Sequence, residues 1–147
     1  MYKRILVPVD GNELTDRAIE ASIELAQQLG AAITGFVAEP LLPVPPGPRP
    51  QAMFQEEVRE HDEMTAAHAQ QVLDKFAAAA AAAGVPFEGY HDQVPRVDRA
   101  IITAAEARGC DMIVMVTHGR GAFGEFLFGS QTKAVLAGSN LPLLVLH

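Results

Sequence analysis

Strand-like segments alternate with helical segments along the whole chain, and this alternation limits the fold more than any other feature of the sequence. Five strand-like segments are separated by four segments of helical pattern, and most of the strand-like segments are apolar runs without polar alternation. Continuous apolar runs are typical of strands covered on both faces, and strands joined through helices are typical of parallel sheets. We therefore predict an α/β fold, a five-stranded parallel sheet sandwiched by helices.

The five predicted strands differ in how clearly the sequence marks them. The clearest is the apolar run at residues 111–116, and the weakest is residues 87–92, which Gly89 interrupts. The other three are residues 5–9, 33–38 and 141–147. Right-handed crossovers between such strands leave few topologies.

The first two predicted helices are bounded by residues that start and stop helices. Asn12 is suited to cap the first helix, and apolar positions then recur at three- and four-residue steps, at Leu14, Ala18, Ala21, Leu25 and Leu29. Gly30 ends this helix. No glycine or proline occurs at residues 51–83, which predicts a long second helix that bends or breaks near His61 and Asp62.

Glycine and proline also mark the remaining helices and the longest loop. Pro95 opens the third helix and Gly109 closes it, and the fourth helix is predicted at residues 130–137. Six of the ten prolines lie between Pro40 and Pro50, which predicts a loop without regular structure. This loop is either a mobile lid over a ligand or a simple surface loop, and the sequence leaves both open.

The composition indicates one domain that binds neither nucleic acid nor membranes. With 147 residues and 49% hydrophobic content, residues 1–147 are large enough to bury a single core. The net charge of −7 argues against nucleic acid as a partner, because binding it depends on clustered Lys and Arg. No segment approaches the ~20 consecutive apolar residues of a membrane span. The single cysteine, Cys110, is typical of a reducing cytoplasm, and we interpret it as a small buried apolar residue rather than a nucleophile.

Candidate ligand-binding residues follow the first and fourth strands. In open parallel sheets, ligands bind at the carboxyl ends of the strands, where the strand order reverses. Asp10 follows the first strand, glycine-rich residues 117–121 follow the fourth, and Gly129 and Ser130 begin the last helix. Backbone amides in such loops and helix ends form a cradle for an anion such as phosphate. A simpler interpretation also fits, since Asp10 and Ser130 are ordinary helix caps and glycine-rich loops are often only turns.

Other sequence motifs do not fit this chain. The G-x-G-x-x-G pattern at residues 119–124 follows a late strand and has no acidic residue about 20 positions further on, which excludes a dinucleotide site. The G-x-x-x-x-G-K-[ST] motif of P-loop proteins is absent. His61 and His68 are too far apart on a helix to share one metal ion and are interpreted as solvated, while His91 and His147 lack a paired ligand. No catalytic triad is evident, so we expect a binding protein rather than an enzyme.

Three segments resemble the universal stress protein family, and the resemblance covers the whole chain. Residues 5–11 are similar to the family's opening strand and loop, residues 111–121 to its fourth strand and loop, and residues 141–146 to its closing strand. The resemblance implies an open nucleotide-binding fold like that of the adenine nucleotide alpha hydrolases, with strand order 3-2-1-4-5. It also implies a homodimer paired through residues 141–147, which would cover an apolar sheet edge that proteins rarely leave exposed.

The resemblance also implies where the nucleotide binds. The ATP-binding branch of the family carries the signature G-x2-G-x9-G-[ST], in which Gly119, Gly129 and Ser130 match the last three elements and Val116 stands at the first glycine. The residues implied for adenine and ribose are Pro8, Val9, Asp10, Val37 and Met115. Those implied for the phosphates are Gly119, Gly129, Ser130, Gln131 and Thr132. The branched side chain of Val116 either narrows the ribose end of the pocket or shifts the sugar.

Three functions remain open on these residues. The first is a cytoplasmic stress-response protein that binds ATP or AMP, with magnesium accompanying ATP, and signals through the occupied or empty state of a homodimer. The second is a nucleotide-free dimeric interaction protein, favoured by Val116 and by Gln93, which stands where many family members have a glycine. The third is slow ATP hydrolysis or self-phosphorylation with Ser130 or Thr132 as acceptor, for which no water-orienting group is evident.

Overall fold

Strands and helices alternate in the computed structural model, which describes residues 1–44, 46–117 and 130–147. The strands are β1 Arg4–Pro8, β2 Ala32–Glu39, β3 Phe87–Gln93, β4 Met112–Val116 and β5 Leu143–Leu146. The helices are α1 Thr15–Leu29, α2 Gln51–Ala82, α3 Val97–Ala107 and α4 Ser130–Gly138. The strands form one sheet in the order β3-β2-β1-β4-β5, and every neighbouring pair is parallel. The predicted α/β fold and its strand order are confirmed.

The two faces of the sheet carry separate apolar layers. One layer packs α1 and α2 against the sheet, and Phe76 of α2 is fully buried in it. The other packs α3 and α4 against the opposite face, with Phe36 of β2 fully buried there. Ile5, Leu6 and Val7 are completely buried because β1 lies between two strands and beneath helices on both faces. This double coverage explains why consecutive positions in the middle of β1 are apolar.

The first helix begins later in the chain than the sequence predicts. It also buries a different face. α1 starts at Thr15, so Asn12 is not its cap; its side chain accepts a hydrogen bond from the amide of Leu14 (2.8 Å) in the preceding turn. The buried residues of the helix are Thr15, Ala18, Ile19, Ser22, Ile23 and Ala26. Of the predicted stripe only Ala18 is buried, and Leu29 is 40% exposed. The face that carries Ile19 and Ile23 packs into the apolar layer instead, and Leu25 is only partly buried beside it.

The second helix is continuous over Gln51–Ala82, and the predicted break near His61 and Asp62 is wrong. The polar side chains there reach the ends of two strands: His61 Nε2 donates to the backbone oxygen of Pro40 (2.9 Å), and Asp62 accepts from Gln93 Nε2 (2.7 Å). These contacts satisfy the side chains without interrupting the helical backbone. The buried residues of α2 all lie in its second half, at Ala69, Val72, Leu73, Phe76 and Ala80.

Smaller differences concern the ends of elements and the long loop. α3 begins at Val97 rather than at Pro95, because the intervening Arg96 is extended (φ −134°, ψ 111°). The last strand covers only Leu143–Leu146 of the predicted residues 141–147. The described part of the proline-rich loop has no regular secondary structure, as predicted, and Pro45 lies outside the described residues. No helix in the described ranges is long and apolar enough to cross a membrane.

Candidate functional site

A cavity of about 280 Å³ lies at the carboxyl ends of β1, β2 and β4. The strand order reverses at β1, which lies between β2 and β4, so the cavity occupies the position where open parallel sheets bind ligands. Its volume lies just below the usual range for ligand sites, about 300 to 1,000 Å³. Six of the residues singled out in the sequence line it together: Pro8, Val9, Asp10, Met115, Val116 and Gln131.

The other residues singled out in the sequence do not line this cavity or lie outside the described part of the chain. Val37 is buried in the apolar layer between the sheet and helices α1 and α2. Thr132 is buried and Ser130 is exposed at the start of α4, so of these two hydroxyl groups only that of Ser130 is open to solvent. Gly119 and Gly129 lie outside the described residues.

Seven further lining residues were not identified from the sequence: Asn12, Leu14, Thr15, Ala18, Ala38, Val97 and Ile101. The first four belong to the loop after β1 and the first turns of α1, and their position shortly after Asp10 was a usable signal. Val97 and Ile101 are four residues apart on α3, a spacing that indicates a shared face but is equally typical of core residues. Ala38 is the last residue of the predicted strand at residues 33–38, and this position was a usable signal as well.

Hydrogen bonds fix the loop between β1 and α1 around the carboxyl group of Asp10. Its Oδ1 accepts from the backbone amide of Asn12, and its Oδ2 from the side-chain amide of the same residue, both at 3.0 Å. Asn12 Oδ1 accepts in turn from the amide of Leu14 (2.8 Å), and Thr15 Oγ1 accepts from the amide of Gly11 (2.9 Å). The Asp10 carboxylate is therefore part of a turn rather than the cap of α1, and it is held in one orientation beside the cavity.

The cavity combines apolar walls with few polar groups. Ala18, Ala38 and Ile101 contribute apolar surface from three different elements. Among the described lining residues Asp10 carries the only charge, and the neutral polar side chains are those of Asn12, Thr15 and Gln131. Such a lining suits a flat, largely apolar ring that carries hydrogen-bond donors, because the walls cover the ring while a carboxylate accepts from its donors.

Val116 forms part of the cavity wall at the end of β4. It is half-buried, pairs with Leu146 of β5 and packs against the apolar layer of α1 and α2. A glycine at this position would remove a branched side chain from the wall and enlarge the cavity. The size of the cavity therefore depends directly on this residue.

A second polar cluster lies where α2 crosses the ends of β2 and β3. Glu39 is buried, and its carboxyl group accepts hydrogen bonds from His91 Nδ1 and from Thr65 Oγ1 (3.2 Å). His91, interpreted from the sequence as lacking a paired ligand, is bonded to a carboxyl group on the neighbouring strand, a contact that sequence spacing does not reveal. Gln93 binds Asp62 of α2 and does not line the cavity. The bonds of Thr65 with Glu39 and of Asp62 with Gln93 join α2 to the sheet.

The described residues offer neither a metal centre nor an activated cysteine. No group of three or more His, Cys, Asp or Glu side chains in the described ranges could hold a metal ion. Cys110 is buried, and burial raises the pKa of its thiol, while a hydrogen bond with Thr34 and the charge of Arg4 oppose that rise. A thiol with a raised pKa is a poor nucleophile at neutral pH, in agreement with its interpretation as a small apolar residue.

The fold and the position of the cavity define a class, the open α/β proteins with a cavity at the reversal of strand order. The sequence matches the model of the universal stress protein family over residues 1–147, and the chain belongs to this family.

Related proteins share both the length and the fold of this chain. The universal stress protein in the QAH/OAS sulfhydrylase 3' region of Thermus aquaticus is 34% identical over 147 residues, which is 100% of each chain. The structure of MJ0577 from Methanocaldococcus jannaschii has a TM-score of 0.78 and 23% identity, covering 99% of this chain and 96% of that one. The structure of a universal stress protein from Archaeoglobus fulgidus in complex with dAMP has a TM-score of 0.64 and 18% identity, and the match covers 99% of this chain and 98% of that one. At these identities the two structures confirm the fold alone.

Proposed function

We propose that this protein binds an adenine nucleotide, AMP or ATP, in the cavity at the ends of β1, β2 and β4, and acts as a regulatory homodimer in the stress response. The observation that carries the proposal is that Asp10, Met115 and Gln131, which are far apart in the sequence, line one cavity of nearly ligand size. The complex of the related Archaeoglobus fulgidus protein with dAMP supports an adenine nucleotide as the ligand class.

Each part of a nucleotide has a matching part of the cavity. The adenine ring fits between apolar walls such as Ala38 and Ile101, and Asp10 accepts a hydrogen bond from a ribose hydroxyl or from the adenine amino group. The first turn of α4, which brings Gln131 to the cavity, offers backbone amides and a partial positive charge to the phosphates. Magnesium would enter with the triphosphate of ATP.

Thermal unfolding with and without nucleotide tests this function. A ligand present at ~100 times its dissociation constant stabilises the native state by roughly 2.7 kcal/mol, which raises Tm by roughly 5 to 10 °C for a domain of this size. We expect this shift with millimolar AMP and with ATP plus magnesium. GMP is the matched control, because it differs from AMP only in the base, and we expect it to shift Tm by less than half as much.

A nucleotide-free dimeric interaction protein is the second candidate, and the observation that favours it is the side chain of Val116 in the cavity wall. The variant Val116→Gly in the same experiment separates the two candidates. A shift in the variant but not in the wild-type protein means that valine closes the site and supports the nucleotide-free function. No shift in either protein contradicts the assignment of the cavity as a nucleotide site.

The homodimer is proposed to form through β5, which lies at one end of the sheet. Ile113 donates its amide to the oxygen of Pro142, and Thr117 donates to that of Leu146, so alternate residues of β5 face β4. Val145 lies between these positions and directs its backbone amide away from β4. That outer row of backbone groups is the edge that a second copy of the chain would pair with.

Replacing Val145 by proline is expected to weaken the dimer by at least about tenfold, because proline removes an outward amide while the bonds to β4 remain. Sedimentation velocity over a range of protein concentrations measures the change. Val145→Thr is the matched control, since it keeps both the amide and a β-branched side chain, and we expect it to remain dimeric. A proline variant that stays as dimeric as the threonine variant contradicts pairing through β5.

A further inference from the structure

The side chain of His68 connects helix α2 to the loop that borders the cavity. Its Nε2 lies 3.2 Å from the backbone oxygen of Asp10. A carbonyl oxygen can only accept, so Nε2 carries the proton and donates it to this bond. His68 is exposed, as its sequence position predicts, but its side chain is hydrogen-bonded. The bond joins two segments that are 58 residues apart in the sequence.

The loop is shaped to receive this imidazole ring. Gly11 has φ +82°, a conformation that residues with a side chain rarely adopt. A Cβ atom at this position would lie 2.5 Å from His68 Nε2 and 2.7 Å from its Cε1. The glycine therefore serves both the backbone turn and the close approach of the histidine. Any residue larger than glycine at position 11 would place its Cβ atom too close to the His68 ring for the present contact.

The peptide that His68 holds is the one that carries the cavity's carboxylate. Asp10 and Asn12 both line the cavity, and the two amide groups of Asn12 bind the two carboxylate oxygens of Asp10. The backbone oxygen of Asp10 is bound by His68. Movement of the Asp10 peptide would therefore change the carboxylate position, the turn and the start of the cavity wall together.

We propose that His68 is a positioning residue for the nucleotide site: it holds the Asp10–Gly11 peptide so that the Asp10 carboxylate meets the ligand, and it thereby couples occupancy of the cavity to helix α2. This inference rests on the proposed function. Coupling is reciprocal, so a ligand that binds the ordered loop also strengthens the contact of α2 with that loop.

Two variants of His68 and one control test the proposal by AMP affinity. His68→Leu removes the donor and is expected to weaken AMP binding by about 3- to 10-fold, the loss of one positioning hydrogen bond. In His68→Gln the amide Nε2 is the same number of bonds from Cα as the histidine Nε2, and it is expected to recover at least half of the affinity. His61→Leu is the matched control, because His61 donates to Pro40 from the same helix without touching the cavity.

The outcomes distinguish a positioning role from a general loss of stability. We expect His68→Leu and His61→Leu to have similar Tm values but different affinities. Equal affinities in these two variants, or a glutamine variant as weak as the leucine variant, overturn the proposal.

Amide exchange in the ligand-free protein separates failure of this proposal from failure of the proposed function. If the wild-type protein binds no AMP, the proposed function fails. Faster exchange at Gly11 and Asn12 in His68→Leu, but not in His61→Leu, would then still establish His68 as the residue that orders the loop. Unchanged exchange at both amides overturns that role as well.

Discussion

Replacing Ala38 by leucine is expected to weaken AMP binding by about 10- to 100-fold while leaving the protein folded. Ala38 is half-buried near the end of β2 and lines the cavity. Three additional carbon atoms at this wall occupy part of a cavity of only about 280 Å³. Overfilling a well-packed space costs about 1 to 3 kcal/mol, and each 1.4 kcal/mol corresponds to about tenfold in affinity.

Isothermal titration with AMP measures this effect, and the same strand provides its control. Ala32 is also half-buried, at the opposite end of β2 and on the same face as Ala38, because side chains alternate along a strand. We expect Ala32→Leu to bind AMP within about twofold of the wild-type protein, because Ala32 is remote from the cavity. Equal affinity in the two leucine variants would mean that the ligand binds elsewhere.

Replacing Phe76 by alanine is expected to lower the free energy of unfolding by about 3 to 5 kcal/mol, the usual range for a fully buried phenylalanine. Phe76 of α2 is completely buried between that helix and the sheet, and its ring centroid lies 4.8 Å from that of Phe87. Its ring also covers Gly35, where a Cβ atom would lie 3.2 Å from the Phe76 ring. The alanine variant therefore leaves a cavity bordered by a glycine and a second aromatic ring.

Thermal or denaturant unfolding measures this loss, which corresponds to roughly 6 to 20 °C in Tm. Phe54→Ala in the first half of the same helix is the matched control. Phe54 is half-buried and no residue of that half is fully buried, so we expect less than half of the effect. Similar losses in both variants would show that the first half of α2 is docked as firmly as the second.

The fold was predictable because its main determinant is local in the sequence. Apolar runs in β1, β2 and β4 mark strands buried on both faces, and glycines such as Gly30 mark the ends of helices. The inward face of α1 was predicted wrongly because several apolar residues compete for burial. Contact with the sheet decides which of them face inward, and that contact is not a property of the helix sequence.

The site was predictable where its residues directly follow strands. Asp10 was identified because carboxyl ends of parallel strands meet at one edge of the sheet, whereas Met115 and Val116 were identified only through the family resemblance. Ala38 and Ile101 were not identified as site residues, since an alanine in a strand and an isoleucine on a helix face are ordinary core residues. Their role depends on which elements lie opposite each other.

By itself, the sequence determined the class of fold, the strand order through the family resemblance, and the end of the sheet at which the cavity lies. Only the tertiary structure decided how the loop after β1 is held and how the buried Glu39 is paired, because the bonds of His68 to Asp10 and of His91 to Glu39 join residues that are 58 and 52 positions apart. Hydrophobic periodicity is repeated at short intervals and can be detected in one segment. A single polar contact between distant segments has no such period, and it exists only once the chain has folded.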